Sequence, residues 1–300
     1  MARWLLILVL ALWSSTALAQ TARPLKVVLI PADGGTETGT RADYEPLFNA
    51  VARQTGLKFD IHVAQSYGAV VEALCNGGAD VAFVGPVTYI QAKRRGCADL
   101  LAVAVEKGQS VYYAGLFARA AAPVPSLKAL KGKRVAFGDV NSTSSFVYPM
   151  AMILGAGLDP ARDLGQIRLA GSHANSLAAL TQGQVDAAAL SFDSFDKAVR
   201  QGAVNPRAVK VIARSEPIPY PPIIVNSKLP AALKARLRQG FKNVHTAPGV
   251  TPDMIRGYGG GKVDRYDTEF PAAKFDAAAA KMSRLTDELK AAILKKASQR

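Results

Sequence analysis

Ala73-Leu74-Cys75-Asn76-Gly77-Gly78-Ala79-Asp80-Val81-Ala82 returns 106 positions later as Ala179-Leu180-Thr181-Gln182-Gly183-Gln184-Val185-Asp186-Ala187-Ala188, with five positions held in the pattern A-L-x-x-G-x-x-D-x-A. Each copy reads as the end of a helix, a glycine stop, an acid and a buried strand. The glycine suits a left-handed C-terminal cap, and the apolar run after it suits a parallel strand covered on both faces. A period this long is no solenoid; two similar α/β lobes in one chain would produce it.

Working outward, short β-branched runs alternate with amphipathic stretches, the pattern of a mostly parallel sheet flanked by helices. Strands are expected at 26–30, 58–62, 81–84, 100–105, 112–118, 134–137, 166–169, 185–190 and 209–213, and helices at 44–54, 67–76, 145–154, 176–181 and 193–200. The fold class is α/β. Two proline-rich segments, Ala118 to Pro125 and Ser215 to Pro222, interrupt this series. Proline fixes φ and withholds its N–H, so both are expected to be extended crossings between lobes. Lobe I is then discontinuous, residues 24–118 plus 219–300, and lobe II is 119–218, with the lysine-rich helical part after Pro230 packed on lobe I. Two lobes joined by two strands make a cleft that hinges shut on a ligand.

The chain has 300 residues, 49% hydrophobic and 20% charged, a size for two domains and a composition for a globular protein. Its 25 glycines and 17 prolines are scattered, which excludes a collagenous or low-complexity chain. A formal net charge of +14 points to an anionic partner, a membrane surface or a nucleic acid. The first residues narrow that choice. Arg3, the apolar run Trp4 to Trp13, and Ala17-Leu18-Ala19 form the pattern of a cleavable signal peptide over residues 1–19. The run is about half the roughly 20 residues needed to span a bilayer, which disfavours an uncleaved anchor. The mature chain is expected to be exported, and no nucleic-acid partner is expected.

Cys75 and Cys97 lie 22 positions apart. Export invites a disulfide between them. The alternative is a thiolate site for a soft ligand such as an arsenic(III) species or a metal, although His62, His173 and His245 complete no ligand spacing with the pair.

The densest polar signal is Phe137-Gly138-Asp139-Val140-Asn141-Ser142-Thr143-Ser144-Ser145, after an expected strand and before an expected helix. In an open parallel sheet this junction lies where ligands bind. A helix start exposes N–H groups and about half a positive charge, which stabilises a small oxyanion. Capping alone needs one hydroxyl residue, and here four stand in succession.

This motif, followed by Pro149, together with Gly171-Ser172-His173-Ala174-Asn175 and Tyr67-Gly68-Ala69-Val70-Val71-Glu72, resembles the periplasmic phosphate/phosphite/phosphonate-binding family, the PhnD-like substrate-binding proteins of ABC transporters. The resemblance runs from about Lys26 to Val225. It implies a two-lobed periplasmic binding protein, type II-like, with the ligand in the interlobe cleft. It implies that Ser142, Thr143 and Ser144 hold an oxyanion, and that Tyr67, Tyr112 and His173 contact it. Tyr67 and His173 also stand 106 positions apart, in phase with the repeat, so each lobe offers an equivalent donor. Tyr89 is a further candidate, with core packing as its alternative.

Departures from the family pattern bear on the ligand. Binders of aminoalkyl ligands are expected to carry a carboxylate within Ser215 to Pro222, and the matching position is Pro221. Asp193 matches a second acidic position, which implies contact with a ligand amine or acceptance from a protonated oxyanion, with a helix N-cap as its alternative role. Val140 and Ser145 replace the usual proline and glycine of the loop. A simple oxyanion, phosphite, phosphate or an alkylphosphonate, is therefore favoured over an aminoalkylphosphonate.

No nucleophile with its base, paired carboxylates or metal cluster is legible, and Gly259-Gly260-Gly261-Lys262 lacks the following Ser/Thr of a phosphate-binding loop. That run reads as a flexible turn. The expected protein is a monomeric, cofactor-free periplasmic binding protein that closes on its oxyanion and delivers it to an inner-membrane ABC permease. The alternative is a periplasmic sensor of an oxyanion or arsenic(III) species that signals to a receptor kinase.

Overall fold

The structure is a computed structural model that describes residues 23–32 and 37–299. The expected signal peptide lies outside the described residues. The first third contains β1 (Leu25–Leu29), α1 (Glu37–Thr55), β2 (Phe59–Val63), α2 (Tyr67–Cys75), β3 (Val81–Phe83), α3 (Pro86–Arg94), β4 (Ala98–Val105) and β5 (Val111–Tyr112). The middle contains β6 (Ala114–Arg119), β7 (Arg134–Phe137), α4 (Tyr148–Gly155), α5 (Pro160–Asp163), β8 (Gln166–Leu169), α6 (His173–Thr181), β9 (Ala187–Ser191), α7 (Phe192–Arg200) and β10 (Val209–Arg214). The last part contains β11 (Ile218–Pro219), β12 (Pro222–Asn226), α8 (Ala231–Asn243), β13 (Arg265–Asp267), α9 (Asp276–Ser283) and α10 (Asp287–Ser298).

Two mixed sheets result, of order β13-β4-β12-β3-β1-β2 and β10-β6-β9-β7-β8. Around β1 and around β7 the neighbours are parallel, while β12 and β6 return antiparallel. The two sheets and their helices are the two lobes.

The repeat has a physical meaning in this topology. α2 and α6 begin 106 positions apart, and their N-caps Ser66 and Ser172 each accept the N–H three residues on. Gly77 and Gly183 both sit at positive φ, 74° and 73°. Asp80 then accepts the Lys26 N–H at 2.8 Å and Asp186 accepts the Arg134 N–H at 2.9 Å, so each acid ties the new strand to its parallel neighbour, β1 or β7. Arginine completes both arrangements: Arg23 on Asp80 and Arg134 on Asp186.

The lobe boundary differs from the sequence expectation. β6, expected to end lobe I, pairs with β9 and β10 in the second sheet. The expected single strand over 112–118 is broken at Tyr113, and its two parts join different ladders. β5 pairs with β11 in the small ladder Tyr112↔Ile218 and Val111↔Pro219. The chain therefore crosses between β4 and β6, and again through the second proline-rich segment, while Ala118 to Pro125 stays within the second lobe.

The C-terminus also departs from expectation. α8 packs on α1 and β4 of the first lobe, but α10 packs on β8 and α5 of the second. Leu285 and Ile293 are buried in the second lobe's core, and Lys296 Nζ donates to the Ala161 carbonyl at 2.8 Å. An amphipathic helix takes whichever apolar face lies within reach, and α9 carries the chain across to β8.

Cys75 and Cys97 are joined in a disulfide with a Cα separation of 4.8 Å, and no free cysteine occurs among the described residues. The thiolate reading, and with it a cysteine-held arsenic(III) or metal ligand, is set aside. The bond closes a separation of 22 residues. Replacing both cysteines by serine is expected to lower stability by about 3 kcal/mol, measured by urea unfolding. Among the described residues no helix is long and apolar enough to cross a membrane.

Candidate functional site

The loop from β7 to α4 is built around Asp139. Its Oδ1 accepts the Asn141 N–H at 2.7 Å, closing a tight turn. Its Oδ2 accepts the Tyr67 N–H, at the start of α2 in the other lobe, at 3.2 Å. Burial pushes the Asp139 carboxyl up, opposed by these two N–H groups. Ser142 caps the helix that follows, its Oγ accepting the Ser145 N–H at 3.2 Å. The first turn, 143–147, is wound as a π-helix, and the Val147 N–H reaches the Ser142 carbonyl at 3.0 Å. Such turns widen the helix mouth and occur often at functional sites.

Ser142, Thr143, Ser144 and Ser145 are all buried. Thr143 Oγ1 accepts the Val87 N–H of the opposite lobe at 2.9 Å. A hydroxyl that accepts an N–H retains its own proton, so Ser142 and Thr143 remain donors. Ser144 hydrogen-bonds the Tyr112 hydroxyl, and burial holds that phenol far above its ordinary range. It stays neutral and able to donate.

His173 is fully buried, and its ring is defined by two partners. The Ser191 N–H donates to Nδ1 at 3.0 Å, so the ring proton sits on Nε2 and is donated to the Tyr258 hydroxyl, also at 3.0 Å. Burial lowers its pKa to about 3, which keeps the ring neutral. Its backbone N–H donates across the cleft to the Ala32 carbonyl at 3.1 Å.

Tyr67 is buried at the seam, through its own N–H on Asp139. Asp193 lies in the first turn of α7 but does not cap it; Ser191 does, accepting the Ser194 N–H at 3.1 Å. Asp193 instead raises the pKa of both Tyr112 and Tyr220, behind the burial that dominates each shift, so its carboxylate lies toward those phenols. Tyr89 belongs to the first lobe's core, its ring 5.0 Å from that of Phe275.

The lobes meet over a wide seam. Besides the contacts above, Gln91 Nε2 donates to Asn141 Oδ1 at 2.8 Å and Thr88 Oγ1 to the Asn141 carbonyl at 3.3 Å. Lys197 on α7 and Asp43 on α1 form an ion pair with the lysine side chain 7% exposed. The conformation is closed. Gly85 backs closely onto Thr143, since a Cβ there would lie 3.1 Å from Thr143 Oγ1 and the hydroxyl would have to yield slightly.

Two residues escaped the sequence reading. Tyr258 carries its ring in the first lobe's core and its hydroxyl on His173 of the second. The glycines beside it are not a slack turn: a Cβ on Gly257 would lie 2.7 Å from Tyr220 Oη, and one on Gly260 2.9 Å from Asp43 Cγ. Glycine there permits close approach at the seam, and that run was the signal. Tyr148 is the other. It opens α4 four residues after Ser144, and its side chain is buried in the first lobe's core cluster, which also holds Tyr112, Ile218 and Tyr220. Among the described residues no group of three or more His, Cys, Asp or Glu side chains could hold a metal ion.

Residues 35–260 match the family model described as ABC transporter, phosphonate, periplasmic substrate-binding protein. The phosphate-import protein PhnD of Mycolicibacterium smegmatis is 30% identical over 229 residues, covering 72% of this chain and 70% of that one. Among solved structures, the binding component of an ABC phosphonate transporter from Pseudomonas aeruginosa superposes with a TM-score of 0.73 at 21% identity, over 92% of this chain and 99% of that one. A protein from Prochlorococcus marinus in complex with methylphosphonate gives a TM-score of 0.72 at 17% identity, over 87% and 97% of the two chains. These likenesses carry the two-lobed fold.

Proposed function

The chain belongs to the periplasmic substrate-binding family of phosphonate ABC transporters, and from that premise we infer that it captures a small tetrahedral oxyanion by hinge closure and delivers it to an inner-membrane permease. Family membership implies a periplasmic location, a small-molecule ligand and a membrane permease as partner. The protein acts as a monomer and catalyses no reaction on its ligand.

The observation that carries this reading is the row Ser142-Thr143-Ser144 at a buried helix mouth, with the opposite lobe already bonded to Thr143 through Val87 and to Asp139 of the preceding turn through Tyr67. Hydroxyls and first-turn N–H groups grip the anion with neutral donors. Lys197, at the seam, is paired with Asp43. Selectivity then comes from donor geometry, while the diffuse positive charge attracts anions over a Debye length of about 8 Å. Tyr67 and Tyr112 contact the ligand from the first lobe and the hinge. His173 acts by orienting the Tyr258 hydroxyl. Contacts made by both lobes at once exist only in the closed state, so binding shifts the population toward it.

The carboxylate expected within Ser215 to Pro222 to hold a ligand ammonium is missing from its place, which leaves Asp193 as the acid nearest the Tyr112 and Tyr220 phenols. Pro221 stands at the expected acidic position, and Glu216, in the same segment, is half exposed and paired with Lys281 at 3.0 Å. Phosphate, phosphite and methylphosphonate are the expected ligands, ahead of aminoethylphosphonate and sulfate.

Calorimetric titration with these five anions tests the reading. Ser144→Ala is expected to weaken binding by about tenfold to a hundredfold, the loss of one hydrogen bond to a charged group. Absence of heat with all of the first three anions would remove the oxyanion reading, and turnover of a phosphate ester would remove the non-catalytic one.

A further inference from the structure

Tyr148 lies at the join of the two lobes. Its backbone opens α4 in the second lobe, yet its ring is 1% exposed and belongs to the first lobe's core cluster, which also holds the hinge ladder residues Tyr112 and Ile218. Its hydroxyl is buried and has no hydrogen-bond partner. Native structures rarely leave such a group unsatisfied, because burying it costs free energy that folding does not recover. Position 148 follows 144 by one turn, and the Tyr112 hydroxyl that bonds Ser144 also senses Tyr148. Ser144 thus bonds the Tyr112 hydroxyl at the helix mouth, and the buried, unpartnered Tyr148 hydroxyl lies within electrostatic reach of the same phenol. The charged group that most affects Tyr148 is Glu216, and burial together with that carboxylate keeps the phenol protonated. It is a donor, with no tendency to become an anion that would repel the ligand.

We propose that Tyr148 is a specificity-determining residue whose hydroxyl donates to the fourth substituent of the tetrahedral ligand and so favours phosphate over methylphosphonate. The inference rests on the oxyanion reading of the Ser142-Thr143-Ser144 mouth. A helix mouth with three hydroxyls serves the three oxygens that phosphate and methylphosphonate share. The additional donor is satisfied only by a ligand with oxygen in the remaining position; opposite a methyl group the phenol stays unpaired, as it is in the protein alone.

The test compares wild type with Tyr148→Phe by calorimetric titration against phosphate and methylphosphonate, with thermal midpoints measured without ligand. Removing an unpartnered hydroxyl leaves the unliganded midpoint unchanged or raised. Phosphate affinity is expected to fall about tenfold or more while methylphosphonate affinity changes by no more than about twofold. Tyr148→Leu provides a second variant of the same sign if phenylalanine repacks the cluster. An unchanged phosphate Kd, or an equal fall for both ligands, overturns the assignment of Tyr148 while leaving the oxyanion reading intact. Failure of the wild type to bind either anion overturns that reading first, and Ser144→Ala separates the two, since it is expected to weaken both ligands alike.

Discussion

Gly138→Ala is expected to abolish measurable oxyanion binding, raising Kd by at least about a hundredfold through loss of two or more charge-assisted hydrogen bonds, and to lower stability by about 1–3 kcal/mol through overpacking. A Cβ at this position would stand 2.9 Å from Ser145 Cβ and closer still to its Oγ. Ser145 cannot yield. It is fully buried, and the Gly138 N–H holds its carbonyl at 3.1 Å. The strain moves the turn that carries Ser142, Thr143 and Ser144, and the Thr143 bond to the Val87 N–H moves with it. Relief follows from removing the obstacle. The double variant Gly138→Ala, Ser145→Gly takes away both close atoms, and the next nearest is Ser172 C at 3.7 Å. It is expected to regain binding and most of the lost stability, apart from about 1 kcal/mol for a glycine inside a helix. Titration and thermal melts of the four proteins form a double-mutant cycle, and an additive cycle would mean that the two positions do not clash.

Interactions close in sequence were legible, and those made at a distance were not. The repeat carried the fold because its glycine has a local duty, a positive φ at Gly77 and Gly183, while its aspartate was legible only as a recurring acid, since its bond reaches a strand 54 or 52 positions away. The hydroxyl run was legible for the same reason, since a helix start needs caps and four in succession exceed that need. The π-turn that widens the mouth leaves no residue signature. The lobe boundary was misplaced because Tyr112 to Ala118 is uniformly suited to a strand. Only the tertiary pairing of Tyr112 with Ile218, and of Ala114 with Ser191, reveals that the run serves two ladders. α10 was assigned to the wrong lobe because an apolar stripe specifies a need for burial without specifying the partner. Tyr258 was hidden for a related reason: its value comes from the His173 ring 85 positions away.

The second large effect is acid sensitivity from His173. In the folded protein its pKa is about 3, held down by burial, while an unfolded chain has the ordinary value of 6.5. Between those values the unfolded state binds a proton that the native state does not, so stability rises with pH and is lost as pH falls from about 6.5 toward 3. One proton corresponds to about 1.4 kcal/mol per pH unit at full slope, and since the unfolded ring is half protonated at pH 6.5 the loss on going to pH 5 is about 1.6 kcal/mol. Asp139 contributes with the opposite sign, because burial raises its carboxyl, so wild type alone would mix the two effects. His173→Gln keeps Asp139 and removes only the ring titration. The measurement is therefore the difference in pH slope between the two proteins, from urea unfolding at half-unit steps between pH 5 and 7, whatever the variant's absolute stability. A wild-type slope steeper by about 1.4 kcal/mol per unit below pH 6 is expected; equal slopes would mean that the ring gains its proton without unfolding, and so is not locked between the Ser191 N–H and the Tyr258 hydroxyl. The locked state has a functional consequence. An imidazole that takes up no proton in the working range carries no positive charge toward the anion, so the grip at the helix mouth depends on neutral hydroxyl and amide donors, and exchanging His173 for glutamine leaves the pH dependence of ligand binding to the folded protein unchanged.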